Sequence, residues 1–384
     1  MKKRFLALLL ALGVITGIMT GCGGKEEVKE EVIKIGVFEP LTGENGGGGS
    51  QEVDGIKYAN KVYPEVLGKK VELVIVDNKS DKAEASVAAT RLVEKEKVVA
   101  VIGSYGSGVS IAAGDIFKNA KVPAMGASCT NPMVTEGNEF YFRTCFLDPF
   151  QGKVMAQYAI EKGNKKAAII TQIGDDYSTG LGNFFKEAFT KLGGEIVYHG
   201  EFQTNEQDFN SILTNVKASG AEVIFAPSSI ASAGLIIKQT RALGIDAQIM
   251  AGDTWENVAI IDVAGESAEG VVISTFFDEH NTLATEEAKK FVKGFKEYLG
   301  GPDEIIPAVA SLGYDAYVVI LNAIKQAGNT DGDSIRKALV DMKGVEGVTG
   351  VYSFDENGDA QKDMAVIKIV KDGKFQYIDT VVVK

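Results

Sequence analysis

The chain has 384 residues, 45% hydrophobic and 24% charged, which is length enough for two domains and ordinary composition for a packed core. That composition excludes wholesale disorder. The formal net charge is −12 with no basic patch or basic helix, which argues against nucleic-acid binding, since neutralising phosphates takes clustered Lys and Arg.

The first segment is read as a targeting signal, outside the fold. Lys2, Lys3 and Arg4 form a basic start, and Phe5 to Met19 is apolar apart from Gly and Thr. The run is shorter than the roughly 18–20 residues of a spanning helix, and small residues precede a cut. Met19-Thr20-Gly21-Cys22 resembles a bacterial lipobox, with Met19 where Leu is commoner. That resemblance implies a signal peptide over 1–21, cleavage before Cys22, and lipidation of its thiol. Acyl chains there would hold the protein on the outer face of a membrane. An ordinary signal peptide with an incidental Cys is the alternative. Residues 22–31 then form the lipidated Cys and a charged, flexible tether. Losing Lys2, Lys3 and Arg4 takes the net charge from −12 to −15, which serves solubility. Cys129 and Cys145 remain, in a compartment that permits disulfides; they either pair or sit as buried free thiols. His199 and His280 are the two histidines, little material for a His-based metal or triad site.

From residue 32 the pattern alternates between strand and helix. Strands are expected at 32–38, 71–76, 98–102 and 122–125, with helices at 52–62, 80–96 and 111–119 between and after them. Ser80 or Asp81 is the N-cap of the second helix, and Val87, Thr90, Leu92 and Val93 are its inward candidates. This order makes a parallel sheet with helices on both faces. The pattern restarts with helices at 150–162, 181–192, 209–218 and 233–243. Strands at 167–172, 196–198, 223–226 and 248–251 alternate with them. Two similar halves of about 120 residues predict two doubly wound α/β lobes. After a strand at 271–275, helices are expected near 286–299, 306–327 and 333–342. Strands at 351–354, 365–370 and 377–383 close the chain, with Glu356-Asn357-Gly358 a hairpin signal. Asp355, Asp359 and Asp363 do not have calcium-loop spacing.

Several pieces together resemble the branched-chain amino acid-binding (leucine/isoleucine/valine-type) family of ABC transporter substrate-binding lipoproteins, which have the type I periplasmic binding protein fold. They are Ile35-Gly36-Val37, Pro40-Leu41-Thr42-Gly43, Val76-Asp77-Asn78 and Arg91-Leu92-Val93. Then come Val101-Ile102-Gly103 with Ser104 to Ser107, Thr130-Asn131-Pro132 and Arg143-Thr144. Asp176-Tyr177-Ser178-Thr179-Gly180 and Gly313-Tyr314-Asp315-Ala316 complete the set. Each is weak alone, but their order and spacing cover nearly all of 32–384. The resemblance implies two lobes joined by a three-segment hinge, near 146–150, 275–278 and 347–352. Lobe one would be 32–147 plus 277–348, and lobe two 149–275 plus 351–384. The ligand would lie in the cleft between them, beyond the carboxyl ends of strands.

An α-amino acid presents a carboxylate and an ammonium at fixed separation, so its site needs N–H and hydroxyl donors for one and an anion for the other. Ser107 follows the strand at 98–102 in Ser104-Tyr105-Gly106-Ser107-Gly108, where glycines let backbone N–H groups approach an anion at a helix start. The family carries a carboxylate-binding Ser here; the alternative is a helix N-cap. The family uses the positions of Ser128 and Thr130 for backbone and hydroxyl contacts; the alternative is turn chemistry before Asn131-Pro132. Tyr177 matches a Tyr that closes over the ligand, or else packs the lobe. Asp253 matches the acidic residue that pairs with the ammonium, which would supply the charge a buried carboxylate lacks; the alternative is a cap for a helix near Glu256. Tyr105, Trp255 and Phe276 are candidates for the wall around the ligand side chain, with Glu44 and Ser104 also near the cleft. At Pro227-Ser228-Ser229 the chain lacks the Tyr of leucine-binding relatives, which leaves the ligand side chain open.

The expected function is therefore an extracytoplasmic, lipid-anchored solute-binding protein, a monomer without cofactor or metal, and not an enzyme. It would close on a branched-chain or related amino acid and deliver it to an ABC permease and ATPase complex. A ligand-sensing module for a membrane receptor, or a binder of an amide or carboxylate, shares the fold. Ser107 and Asp253 as nucleophile and orienter would lack a His, and no G-x-S-x-G elbow is present.

Overall fold

The computed structural model describes residues 31–282 and 285–382. The expected signal segment, Cys22, the tether as far as residue 30 and Val383 of the last expected strand lie outside the described residues.

The first part of the chain lays down β1 (Ile33–Glu39), α1 (Gly46–Val62), β2 (Glu65–Val66), β3 (Lys69–Asp77), α2 (Lys82–Thr90), β4 (Ala100–Ile102), α3 (Ser107–Ala120), β5 (Ala124–Gly126) and β6 (Tyr141–Arg143). Its six strands are ordered β2-β3-β1-β4-β5-β6 and are parallel, except that β2 runs against β3. One face of this sheet packs Ile35 and Val37 with Ile56 of α1, and the other packs Phe38 and Val101 with Leu92 and Phe117. Strands buried on both faces are what a parallel sheet covered by helices requires.

The chain then builds α4 (Asp148–Glu161), β7 (Lys166–Gln172), α5 (Asp176–Lys191), β8 (Glu195–Phe202), α6 (Asn210–Ser219), β9 (Val223–Phe225), α7 (Ile230–Ala242), β10 (Gln248–Ala251), α8 (Val258–Ala264) and β11 (Val272–Thr275). It turns back through α9 (Glu286–Leu299), α10 (Ala308–Ala327), α11 (Gly332–Val340) and the ribbon of β12 (Lys343–Gly347) with β13 (Gly350–Ser353). It ends in β14 (Met364–Lys371) and β15 (Lys374–Val382). The second sheet is ordered β15-β14-β11-β10-β9-β7-β8, parallel from β8 to β11 and completed by antiparallel β14 and β15. The result is two doubly wound α/β lobes.

Helix α10 returns to the first sheet and lies against α1. A Cβ on Gly55 would meet the Ala310 carbonyl oxygen at 1.9 Å, and one on Gly313 would meet that of Glu52 at 2.4 Å. The two backbones touch there, so glycine is required. Tyr58 of α1 is ringed by Phe291 and Phe295 of α9 and Tyr314 of α10, with centroids 5.3–6.0 Å away.

Several boundaries differ from expectation. Helix α1 begins at Gly46, six residues before the expected Glu52, because its glycine-rich first turns sit under neighbouring backbone: a Cβ on Gly49 would lie 2.1 Å from the Pro40 oxygen. In α2 the N-cap is Asp81, whose carboxylate accepts from Ala83 and Glu84, and the helix widens to a π turn over Arg91–Glu96. Val87, expected inward, is 65% exposed; Ala85, Ala88, Ala89 and Leu92 hold the inner face. Glu356-Asn357-Gly358 does turn the chain, but it closes an isolated Phe354–Ala360 bridge instead of joining two sheet strands. Cys129 and Cys145 are both free and buried.

Candidate functional site

Loops leaving the carboxyl ends of β1, β4 and β5 face loops leaving β7, β9 and β10 across a cleft. Its outer part, about 580 Å³, has Glu44, Lys79, Lys82, Gln172 and Asn205 among its walls. Inside it lies a small enclosed cavity of about 20 Å³.

Five of the residues singled out in the sequence line that inner cavity together: Tyr105, Ser107, Ser128, Tyr177 and Asp253. They come from both lobes. Gly106 of the glycine-bearing loop lies beside them, and Asn45, Asp175 and Thr254, which were not foreseen, complete the lining.

Ser107 is the first residue of α3, whose N-cap is Gly106, so its hydroxyl does not cap the helix. Instead Ser107 Oγ accepts the Asn131 N–H at 3.1 Å, which leaves its own proton to donate. The first turn of α3 has no side-chain cap, so the end of the helix dipole stays open to an anion. Asn131, not Ser128 or Thr130, supplies the turn chemistry, accepting the Met133 N–H at 3.0 Å. Thr130 is fully buried, and its Oγ1 has no hydrogen-bond partner among the described residues. It stands just behind the cavity, where its carbonyl accepts the Asp148 N–H at 3.0 Å.

Asp253 follows β10 and is 2% exposed. Its Oδ1 accepts from Gln151 Nε2 at 2.7 Å and from the Tyr177 hydroxyl at 3.2 Å. Burial pushes its carboxyl up to about 7, against the pull of those two donors. It does not cap α8, whose N-cap is Asn257. No cation pairs with Asp253 among the described residues.

Further carboxylates surround this group. Glu39 and Glu52 are fully buried, and Asp148 is too. Glu39 holds the Tyr105 N–H at 2.6 Å. Burial raises all three, Glu52 to about 8, and the neighbouring Glu52 charge raises Glu39 further. Among the described residues, neither oxygen of Glu52 nor of Asp148 has a hydrogen-bond partner. Nothing in the sequence marked these groups, because a carboxylate at a strand end or inside a helix reads as solvated. Among the described residues no group of three or more His, Cys, Asp or Glu is placed to hold a metal.

The other candidates lie apart. Trp255 is fully buried behind the cavity wall and donates from Nε1 to Ser228 Oγ at 3.3 Å. Phe276 packs on Phe146, centroids 4.3 Å apart, beside a separate cavity of about 280 Å³. Ser104 is buried under its loop and accepts from Asn78 Nδ2 at 2.8 Å. Glu44 lies at the outer cleft, where Gln172 Nε2 donates to it at 2.9 Å.

The lobes also touch directly. The Asn45 side chain accepts the Ile230 N–H at 3.1 Å, and the Glu44 carbonyl accepts that of Ala231 at 3.2 Å. Asn131 Nδ2 donates to the Asp176 carbonyl at 2.8 Å, and Lys82 pairs with the Asp176 carboxylate at 2.7 Å.

Comparison with known proteins gives the same picture. The profile of a periplasmic binding protein family matches residues 32–374. Leu/Ile/Val-binding protein homolog 3 of Brucella melitensis is 30% identical over 350 residues, 89% of this chain and 92% of that protein. The crystal structure of the leucine-binding protein LivK from Thermotoga maritima superposes with a TM-score of 0.88 at 38% identity, covering 91% of this chain and 99% of that one. The branched-chain amino acid transporter substrate-binding protein LivJ from Streptococcus pneumoniae, solved with isoleucine, gives 0.84 at 32%, covering 92% and 99%.

Proposed function

The chain belongs to the periplasmic binding protein family, and on that premise we propose that it is an extracytoplasmic solute-binding protein that captures an α-amino acid between its lobes and delivers it to an ABC importer. The carrying observation is the polarity of the inner cavity. An uncapped helix start and the Ser107 hydroxyl form its donor end. Asp253, buried without a cation, forms its acceptor end. A carboxylate and an ammonium on one carbon satisfy both ends at once, through short charge-assisted bonds. Tyr177 closes the ammonium side from lobe two, and Ser128 lines the floor from lobe one.

Because the ligand touches both lobes, it has the differential affinity for the closed state that a hinge needs. The hinge segments are 146–150, 275–278 and 347–352, and the closed surface is what the permease reads. Lipid on Cys22 and the tether that follows would hold the protein beside its transporter.

The test is thermal unfolding of the purified protein against the twenty amino acids and a set of sugars, amides and carboxylates. A ligand at 100 times its dissociation constant adds about 2.7 kcal/mol, a shift of several degrees. The expected result is a shift with a subset of amino acids, lost in Asp253→Ala. A shift with non-amino-acid solutes alone would overturn the ligand class and keep the fold.

A further inference from the structure

The cavity beside Phe276, of about 280 Å³, shares none of its lining with either part of the cleft. Its volume is close to the lower bound of about 300 Å³ for small-molecule sites. Part of its wall is apolar and covered: Phe146 after β6, Phe276 after β11 and Leu312 of α10 are all buried. Met364, the first residue of β14, adds an adaptable thioether to the same lining. One cation stands on this lining, Lys362, which is partly buried. Its Nζ donates to the Thr349 carbonyl at 2.9 Å and to Thr349 Oγ1 at 3.0 Å, and it lies 4.1 Å from the centroid of the Tyr352 ring. Those partners are neutral, and one N–H of the ammonium is left without an oxygen acceptor. The Asp315 carboxylate nearby is already taken up by the Val348 and Thr349 N–H groups and the Thr349 and Tyr352 hydroxyls. Asp363, the carboxylate of the lining, is exposed. Burial pulls the Lys362 ammonium down to about 8, against the attraction of Asp315 and Asp363, so an anion beside it would favour the charged form.

We propose that this cavity is a second binding site, for a small monocarboxylate whose anionic head meets the Lys362 ammonium and whose aliphatic or aromatic tail lies over Phe146, Phe276 and Leu312. Each half of such a ligand answers a different feature of the walls. A charge-assisted bond to a partly buried ammonium is stronger than the same bond in water, and the covered aromatic wall returns the gain of apolar burial. A neutral apolar molecule would gain the second without the first, and an alkylamine would set two cations against each other. The amino-acid reading of the cleft does not enter, since the two sites have no residue in common.

The experiment follows isotope-labelled methionine methyl groups of the purified protein by NMR during titration with hexanoate, hexanol and hexylamine, with Met364→Leu identifying the Met364 signal. Hexanoate is expected to move that signal along a saturating curve and to give nuclear Overhauser contacts from its chain to the Met364 methyl. Its affinity should be at least about ten-fold above that of hexanol or hexylamine, the scale of one charge-assisted bond. Lys362→Met keeps an unbranched apolar stem and removes the charge, so the preference for hexanoate over hexanol should drop below about three-fold. Absence of contact between the hexanoate chain and Met364 would overturn the inference. So would a preference for hexanoate below about three-fold in the native protein, which would make the cavity a general apolar void. The native ranking decides the matter even where Lys362→Met does not fold. Whether amino acids bind in the cleft alters neither outcome, so the two readings fail separately.

Discussion

Gln151 of α4 donates from Nε2 to Oδ1 of Asp253 at 2.7 Å and to Ser274 Oγ at 3.0 Å, so the same amide fixes the acidic group of the cavity and the strand beside it. Asp253 is thereby aimed, yet burial still holds its carboxyl up at about 7. The folded value is raised above the ordinary 3.8, so the empty protein has the full stability from this group below about pH 4 and loses it as pH rises to about 7. A ligand ammonium reverses the preference, because it needs the carboxylate ionised. Binding below pH 7 should therefore release a proton, and affinity should fall by up to about ten-fold for each unit of pH below that point. Titration at pH 6 in buffers of different ionisation enthalpy measures the release. Asp253→Asn should abolish it and weaken binding by about 30-fold or more, as loss of one partner of a buried charge pair does. Binding that keeps its proton balance and affinity from pH 5 to 8 would contradict this account.

The contacts between lobes are unequal, and kinetics should separate them. Asn45 uses its side chain to hold the Ile230 N–H at the cleft. The Lys82–Asp176 pair is half exposed on the lysine side, 49% against 33%. Exposed ion pairs contribute little, whereas a lost partner for an N–H at a closing interface speeds opening. Asn45→Ala should raise the dissociation rate by about ten-fold and leave association nearly unchanged. Lys82→Ala should change either rate by less than about three-fold. Trp255 is the chain's single tryptophan and lies beside the cavity, so stopped-flow fluorescence gives both rates directly.

The sequence carried some of this more clearly than the rest. Helix α9 was expected over 286–299 and occupies that range, because its apolar stripe, the Thr285 cap and Gly300 all agree on its ends. Ser107, Tyr177 and Asp253, which the fold brings to one cavity, each follow a strand whose end the hydrophobic pattern marks. Thr254 did not read, because it matters by where it stands, and Asp175 did not, because an Asp before a helix reads as an ordinary N-cap, which it also is. Glu39 and Glu52 were invisible for a different reason: charge patterning places such residues in solvent, and only the crossing of α1 with α10 takes Glu52 inside. Trp255 and Phe276 were read as aromatics near a loop end, and packing sent them to the back of one wall and onto Phe146 beside a separate cavity.

Arg143 is fully buried and staples the loop that carries Thr130. Its Nη1 donates to the Cys129 and Asn131 carbonyls at 2.7 Å each, Nη2 to Thr135 Oγ1 at 2.6 Å, and Nε to Asp359 Oδ1 at 2.5 Å. Lysine carries its three donors on one nitrogen and cannot reach acceptors that here are spread over three guanidinium nitrogens. Arg143→Lys should therefore lower stability by about 3 kcal/mol or more, since Asp359 and two carbonyls lose their partners in the core. Urea unfolding reads the loss as a lower midpoint at unchanged slope. Arg143→Met combined with Asp359→Leu should recover part of it, because removing both charges is milder than stranding one.

Thiol counting tests the anchor and the core together. Cys129 and Cys145 are 0% and 1% exposed and unpaired, and burial holds the Cys129 thiol up at about 11. A thiol that stays protonated and covered reacts slowly, so the native protein should label at the rate of its own unfolding. The whole chain has three cysteines, and lipid on Cys22 would remove one of them from the count. Protein extracted from membranes and unfolded without reductant should then give two reactive thiols per chain. Three would mean that Cys22 is unmodified and the anchor reading is wrong, whereas loss of both Cys129 and Cys145 from the count would mean that they form a disulfide. Mass spectrometry of the N-terminal fragment distinguishes the sources, because the two core thiols and the anchor lie on separate peptides.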